Sequence, residues 1–177
     1  MSENNPIQPN VEDFIQDHKE KRKLLERWPH YFPHEPIKDF DPNDFKHLCI
    51  QVFFEAFSLP EFQQYLEWEK KEDNFENVVV NVNYSSLYGC GNPNIKQFLE
   101  YVYEHPNDVI KSIALGLDNV RLYIYGFNDQ RVVILRFYNF NQIFPMSMIK
   151  SHLINKFICI RGTVLRVSSI KVLVESI

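Results

Sequence analysis

His30 and His34 stand four residues apart, the spacing at which two imidazoles on one helix can grip a metal ion. Pro33 lies between them and Pro29 just ahead, so the helix that would align them is interrupted and no metal site is expected. A phosphate-cradling loop needs Gly-Lys followed by Ser or Thr, because backbone N–H groups must wrap the phosphates while the lysine reaches them. The chain contains no Gly-Lys pair, and its one G-x-G, Gly89-Cys-Gly91, runs into Asn92-Pro93 and reads as a turn. Glu67, Glu69, Glu72 and Asp73 alternate with Lys70 and Lys71, the pattern of a solvated helix end rather than of paired acid and base. Cys49, Cys90 and Cys159 are far apart and odd in number, so neither zinc nor a disulfide framework is suggested and a reducing compartment fits best. Cys159, between Ile158 and Ile160, reads as a small apolar core residue rather than a nucleophile. What remains is basic: Arg161, Arg166 and Lys171 stud an apolar stretch, with Lys150 and Lys156 upstream. Taken alone, such side chains pair with acidic neighbours or face solvent.

The elements that would position these groups are legible from spacing. Residues 1–40 read as a tail, a charged amphipathic helix over Val11–Trp28 and a Pro-rich extended linker, whose Trp28, Tyr31 and Phe32 pin it to the main body. The cluster Lys19, Lys21, Arg22 and Lys23 is diluted by Asp17, Glu20 and Glu26 and reads as a solvated helix face. Residues 41–140 hold the main helical unit. Asp41-Pro-Asn-Asp44 supplies a cap before Phe45, Leu48, Cys49, Val52, Phe53, Ala56 and Phe57 at helical spacing. A second helical segment is expected from Glu61 to about Glu72, and Val78 to Tyr84 is β-branched enough for a strand. Helices follow from Asn94 to Glu104 and from Asn107 or Asp108 to about Ile124, then a strand within Gln130–Phe140. In residues 141–177, Pro145 opens a short helix bearing Met146, Ile149 and Leu153. Asn155 suits a left-handed cap, and Phe157–Val167 reads as a long strand bent at Gly162. The fold class is α+β: a helical N-terminal subdomain with a few short strands, then the first strand of an incomplete OB-type barrel, since a small barrel needs its first strand arched.

With 177 residues, 45% of them hydrophobic and 15% aromatic, the chain can bury a real core. A net charge of −4 argues against a whole-surface attraction to nucleic acid, so any binding is local. No apolar run reaches membrane-spanning length, and a membrane is not an expected partner.

The stretch around residues 155–171 resembles the minichromosome maintenance (MCM) family of hexameric DNA helicases, where the N-terminal helical subdomain joins the oligonucleotide-binding barrel. In that family a strand ending in an aromatic-Asn run leads through a short helix to Gly-Lys, an apolar triplet and Arg-Gly-Thr-Val-x-Arg-Val. This chain reads Phe137-Tyr-Asn-Phe140, then Asn155-Lys156 in place of Gly-Lys, then Arg161-Gly-Thr-Val-Leu-Arg-Val-Ser-Ser-Ile-Lys171, a phrase most similar to the eighth-paralogue branch. Val80–Leu87, Gly89–Leu99 and Asn107–Leu117 resemble the same branch's strand, turn and helices, and Trp28 with Tyr31-Phe32 an aromatic cluster near its beginning.

The resemblance implies that Arg161, Arg166 and Lys171, with Lys156 and Lys150 as weaker candidates, contact single-stranded DNA phosphates in the ring's channel. It also implies a nuclear location and other MCM-type subunits as partners. The aromatics at 137–140 are expected in the core rather than as a base-stacking platform. The family's zinc ribbon and ATPase module, with the zinc and ATP sites, would lie beyond Ile177, so no cofactor and no catalytic residue is expected in this chain. A different class of reading is a free-standing helical interaction domain that binds a protein partner through its apolar faces.

Overall fold

The computed structural model describes residues 18–68, 77–127, 130–140 and 142–167. Its centre is a pair of helices. α3 (Phe45–Ser58) begins at Asp44, whose carboxylate accepts from the N–H groups of Lys46 and His47, two donors with no partner inside the helix. α6 (Pro106–Tyr123) starts on a proline whose missing N–H costs nothing there, and residues 112–121 of it are all buried. The two helices approach closely because position 116 is glycine. A Cβ there would stand 3.0 Å from the Ile50 carbonyl oxygen and 3.3 Å from Phe53 Cβ. Phe53 and Phe57, fully buried between these elements, each contribute about 1.5–3 kcal/mol by leaving water.

A three-stranded sheet, order β1-β2-β3, packs against α6 through β3. β1 (Leu66–Trp68) runs antiparallel to β2 (Asn77–Asn83), with Leu66 opposite Val82. β2 runs parallel to β3 (Val132–Tyr138), Asn77 opposite Val132 and Asn83 opposite Tyr138. The crossover between these parallel strands carries α4 (Tyr84–Tyr88), α5 (Pro93–Tyr101) and α6. Asn83 and Asn92 cap α4 and α5 through their side-chain oxygens. A helical subdomain with short strands is therefore observed, and the α+β class with it.

Four expectations need correction. The N-terminal helix does not run to Trp28: α1 spans His18–Lys23, a turn follows, and α2 is Trp28–Tyr31. Residues 11–17 lie outside the described ones. The break lets Leu24, Leu25 and Trp28 all turn inward, and Pro29 opens the short helix α2 instead of stretching the chain. The segment after Pro60 is a 3₁₀ helix (Pro60–Tyr65) that passes into β1, because β2 offers its backbone a hydrogen-bonding neighbour; residues 69–76 lie outside the description. The expected helix after Pro145 is two 3₁₀ turns, Met146–Met148 and Ser151–Leu153, of which only Leu153 is buried. Finally, the long bent strand reduces to β5 (Cys159–Ile160), paired in parallel with β4 (Ile143–Phe144). β4 is ended by Pro145, which has no N–H to extend the ladder, so residues 161–167 gain no strand neighbour among the described residues. The first strand of an incomplete OB-type barrel is thus not confirmed by the described residues. Gly162 serves a different purpose from a bend: a Cβ there would meet Met146 Sδ at 2.7 Å.

A buried polar cluster locks the N-terminal segment onto this body. The Asp118 carboxylate on α6 accepts from Arg27 at 3.0 Å, from the Tyr31 hydroxyl at 2.9 Å and from Arg121 at 3.3 Å. Arg27 and Arg121 also donate to the Arg131 carbonyl, and the Tyr31 hydroxyl accepts the Val133 N–H, which ties in the start of β3. Asn119 donates to the Leu24 carbonyl beside it. Burial raises the Asp118 pKa above the usual carboxylate value, opposed by the Tyr31 hydroxyl and the two guanidiniums.

Candidate nucleic-acid interface

The basic C-terminal segment leaves the body through a series of fixed points. Leu153 is buried, Asn155 takes the left-handed backbone (φ 62°) that its sequence position suggested, and Lys156 forms an ion pair with Glu104. The Phe157 N–H donates to the Tyr103 carbonyl, and its ring packs edge-on against Phe137 and Phe140. β5 then pairs with β4. Beyond it, every residue from 161 to 167 is exposed, including Val164, Leu165 (93%) and Val167.

The candidate residues therefore fall into three groups. Arg161 and Arg166 are exposed on this outer stretch, on one continuous segment. Lys156 is already neutralised at the segment's root, and its ammonium lies 5.8 Å from the Tyr103 ring centre. Lys150 is exposed, and Lys171 lies outside the described residues. His30 and His34 are exposed, and no cluster of metal-ligating side chains occurs among the described residues. Cys49 is buried, which pushes its thiol pKa well up and leaves it inert.

Charge distribution is the signal that sequence reading passed over. Residues 1–129 hold 12 Lys or Arg against 22 carboxylates, whereas residues 130–177 hold seven against one, Glu175. The overall charge of −4 averages over this division. A stretch of more than forty residues without a carboxylate, exposed over residues 161–167, can attract phosphates locally.

An aromatic cleft next to the root of the segment was also missed. Tyr84, Tyr88, Tyr103, Phe140 and Phe144 line an open space of about 540 Å³, with Glu100 and Gln142 at its rim. Tyr84 packs on Phe140 at 4.5 Å and donates its hydroxyl to the Leu99 carbonyl. Burial, with Tyr88 and Glu100 nearby, pushes the Tyr84 hydroxyl up to about 12. Phe137 belongs with the core as expected, but Phe140 lines the cleft. The i, i+4 pair Tyr84 and Tyr88 on α4 was the available hint.

Among the described residues no helix is long and apolar enough to cross a membrane. No family model matches the chain. Over 152 residues it is 26% identical to a protein described as probable DNA helicase MCM8 of rice, Oryza sativa subsp. indica; the match covers 83% of this chain. The chain spans 18% of that relative's length. This similarity, spread over most of the chain, suggests a relationship with the minichromosome maintenance family.

Proposed function

We propose that the chain is the N-terminal DNA-binding and assembly region of an MCM-type hexameric helicase subunit, of the eighth-paralogue branch. In this reading residues 41–140 are the helical subdomain and residues 141–177 the linker and entry to the oligonucleotide-binding barrel. The subunit works in the nucleus with other MCM-type subunits, in DNA replication or recombination repair. The observation that carries the proposal is the coincidence of the helicase similarity with an exposed, carboxylate-free basic segment at the end of an acidic helical body. Arg161 and Arg166, with Lys171, contact phosphates of single-stranded DNA; Lys156, held by Glu104, contributes little.

The test is salt-dependent binding of single-stranded DNA to the chain and to Arg161→Ala/Arg166→Ala. Each neutralised phosphate contributes a slope of about −0.7 in log K against log salt. If Arg161, Arg166 and Lys171 all engage, affinity falls roughly 20-fold between about 50 and 200 mM salt, and about threefold in the double variant. Equal slopes for the two proteins would remove both arginines from the interface. The exposed Val164, Leu165 and Val167 favour one second reading, in which the segment adds as a strand to a protein partner of a free-standing interaction domain. Self-association without DNA binding would support that reading.

A further inference from the structure

Stacking rings, a hydrogen-bonding edge and flanking cations meet in one place outside the basic segment. The aromatic cleft is built by α4, α5 and the turn after β3. Asn139 takes a positive φ of 56° in that turn, and its carbonyl accepts from the Ser85 hydroxyl, which fixes Phe140 across from Tyr84. Tyr103 and Phe144 form a second, nearly parallel ring pair, 12° between planes. Two lysines lie over lining rings: Lys96, 5.2 Å from the Tyr88 ring centre, and Lys156, itself paired with Glu104, 5.8 Å from that of Tyr103. At the rim, Glu100 accepts from the Tyr88 hydroxyl at 2.8 Å, and Gln142 is exposed.

We propose that this cleft is a nucleobase-binding site on the helical subdomain, which holds one unstacked base of single-stranded DNA and prefers a base with an exocyclic amine. It rests on the reading above for its polymer and extends it in place and selectivity. The volume is in the range of small-ligand sites, and aromatic faces accept any base by stacking. Selectivity comes from the rim. The Glu100 carboxylate only accepts hydrogen bonds, so it suits the N4 amine of cytosine and opposes thymine, which presents the O4 acceptor at the same position. The position also fits the strand's path. Phe157 touches Phe140 and its N–H is bonded to Tyr103, so the base site adjoins the root of the segment that carries Arg161.

The experiment compares the affinity of the chain for oligo-dC and oligo-dT of equal length, by anisotropy of a labelled strand, with melting temperature as the check on folding. Oligo-dC binds more tightly; Tyr103→Ala and Phe144→Ala each weaken it roughly tenfold; Glu100→Gln removes the preference. Should an alanine variant melt early, Tyr103→Leu and Phe144→Leu keep the bulk without the ring, and loss of binding in them carries the same meaning. Equal binding of dC and dT, or wild-type affinity in the ring variants while Arg161→Ala/Arg166→Ala still weakens binding, overturns the base site and leaves the function reading standing. The cleft would then suit an aromatic side chain of a protein partner. Failure of the unmodified chain to bind either oligonucleotide overturns both.

Discussion

Replacing Asp118 by alanine tests how the N-terminal segment is held. The carboxylate has no exposed surface and is the one group that Arg27, Tyr31 and Arg121 all share. Its removal takes from Arg27 and Arg121 the carboxylate they share and from the Tyr31 hydroxyl its acceptor, while both guanidiniums stay joined through the Arg131 carbonyl. Breaking a buried pair by deleting one partner costs about 3–5 kcal/mol. For a chain of this size that lowers the melting temperature by roughly 6–20 °C, at about 2–4 °C per kcal/mol. Asp118→Asn separates charge from shape. Burial raises the Asp118 pKa; asparagine, which fills the same volume and keeps one accepting oxygen, costs less than alanine. The sign for pH follows from the same shift. Between the unfolded and the raised folded pKa the native state binds more protons, so this group's contribution is present below the unfolded pKa and declines as pH rises through the folded one. Calorimetric melts of the three proteins at neutral and mildly acidic pH decide the matter. A loss under about 1 kcal/mol for Asp118→Ala, or a larger loss for Asp118→Asn, would refute the reasoning.

Three further outcomes follow from packing. Gly116→Ala gains up to about 1 kcal/mol of helix propensity but drives a methyl against the Ile50 carbonyl, and a net loss of about 1–2 kcal/mol is expected by urea unfolding; stabilisation would mean that α3 and α6 can separate at no cost. At Asn155, with φ 62°, alanine should cost about 1–2 kcal/mol and glycine almost nothing, measured by the same unfolding curves. Leu153→Ala removes a buried anchor and should cost about 2–3 kcal/mol, whereas Leu165→Ser, at a fully accessible position, should stay within about 0.5 kcal/mol; a larger effect at Leu165 would show that residues 161–167 pack on the body.

The parts of this fold that could be read from the sequence are those decided within one turn or one strand. Asp44 followed by apolar residues at helical spacing gives α3, Pro106 and its apolar face give α6, and the valine run gives β2. Asn155 was legible because asparagine tolerates the left-handed backbone; Asn139, equally left-handed, stood inside an apparent strand and gave no sign. What escaped notice depends on distant partners. The residues of β1 form a strand because β2 lies alongside, and Arg27 turns inward because Asp118, 91 residues later, is waiting. The C-terminal segment shows the opposite failure. Its Val, Ile and Thr content suits a strand, yet a strand needs a neighbour, and β4 stops at Pro145. The rings of the proposed base site come from three separate stretches that only the fold brings together.

The arrangement of charge explains why an acidic protein is compatible with binding DNA at one end. A pI near 5.9 belongs to the whole chain, but exposed charges further apart than about 10 Å are largely screened from one another in dilute salt. A phosphate near Arg161 or Arg166 responds to those guanidiniums and to the carboxylates within that distance, and the sequence places none on the segment itself. Glu104, on the body, spends its charge on Lys156 at the segment's root. On the proposed reading the acidic body repels the polyanion while the outer segment attracts it, which would confine contact to residues past β5 and to the aromatic cleft where that segment begins. On that reading, segregation of charge along the sequence is what would give the interface its location.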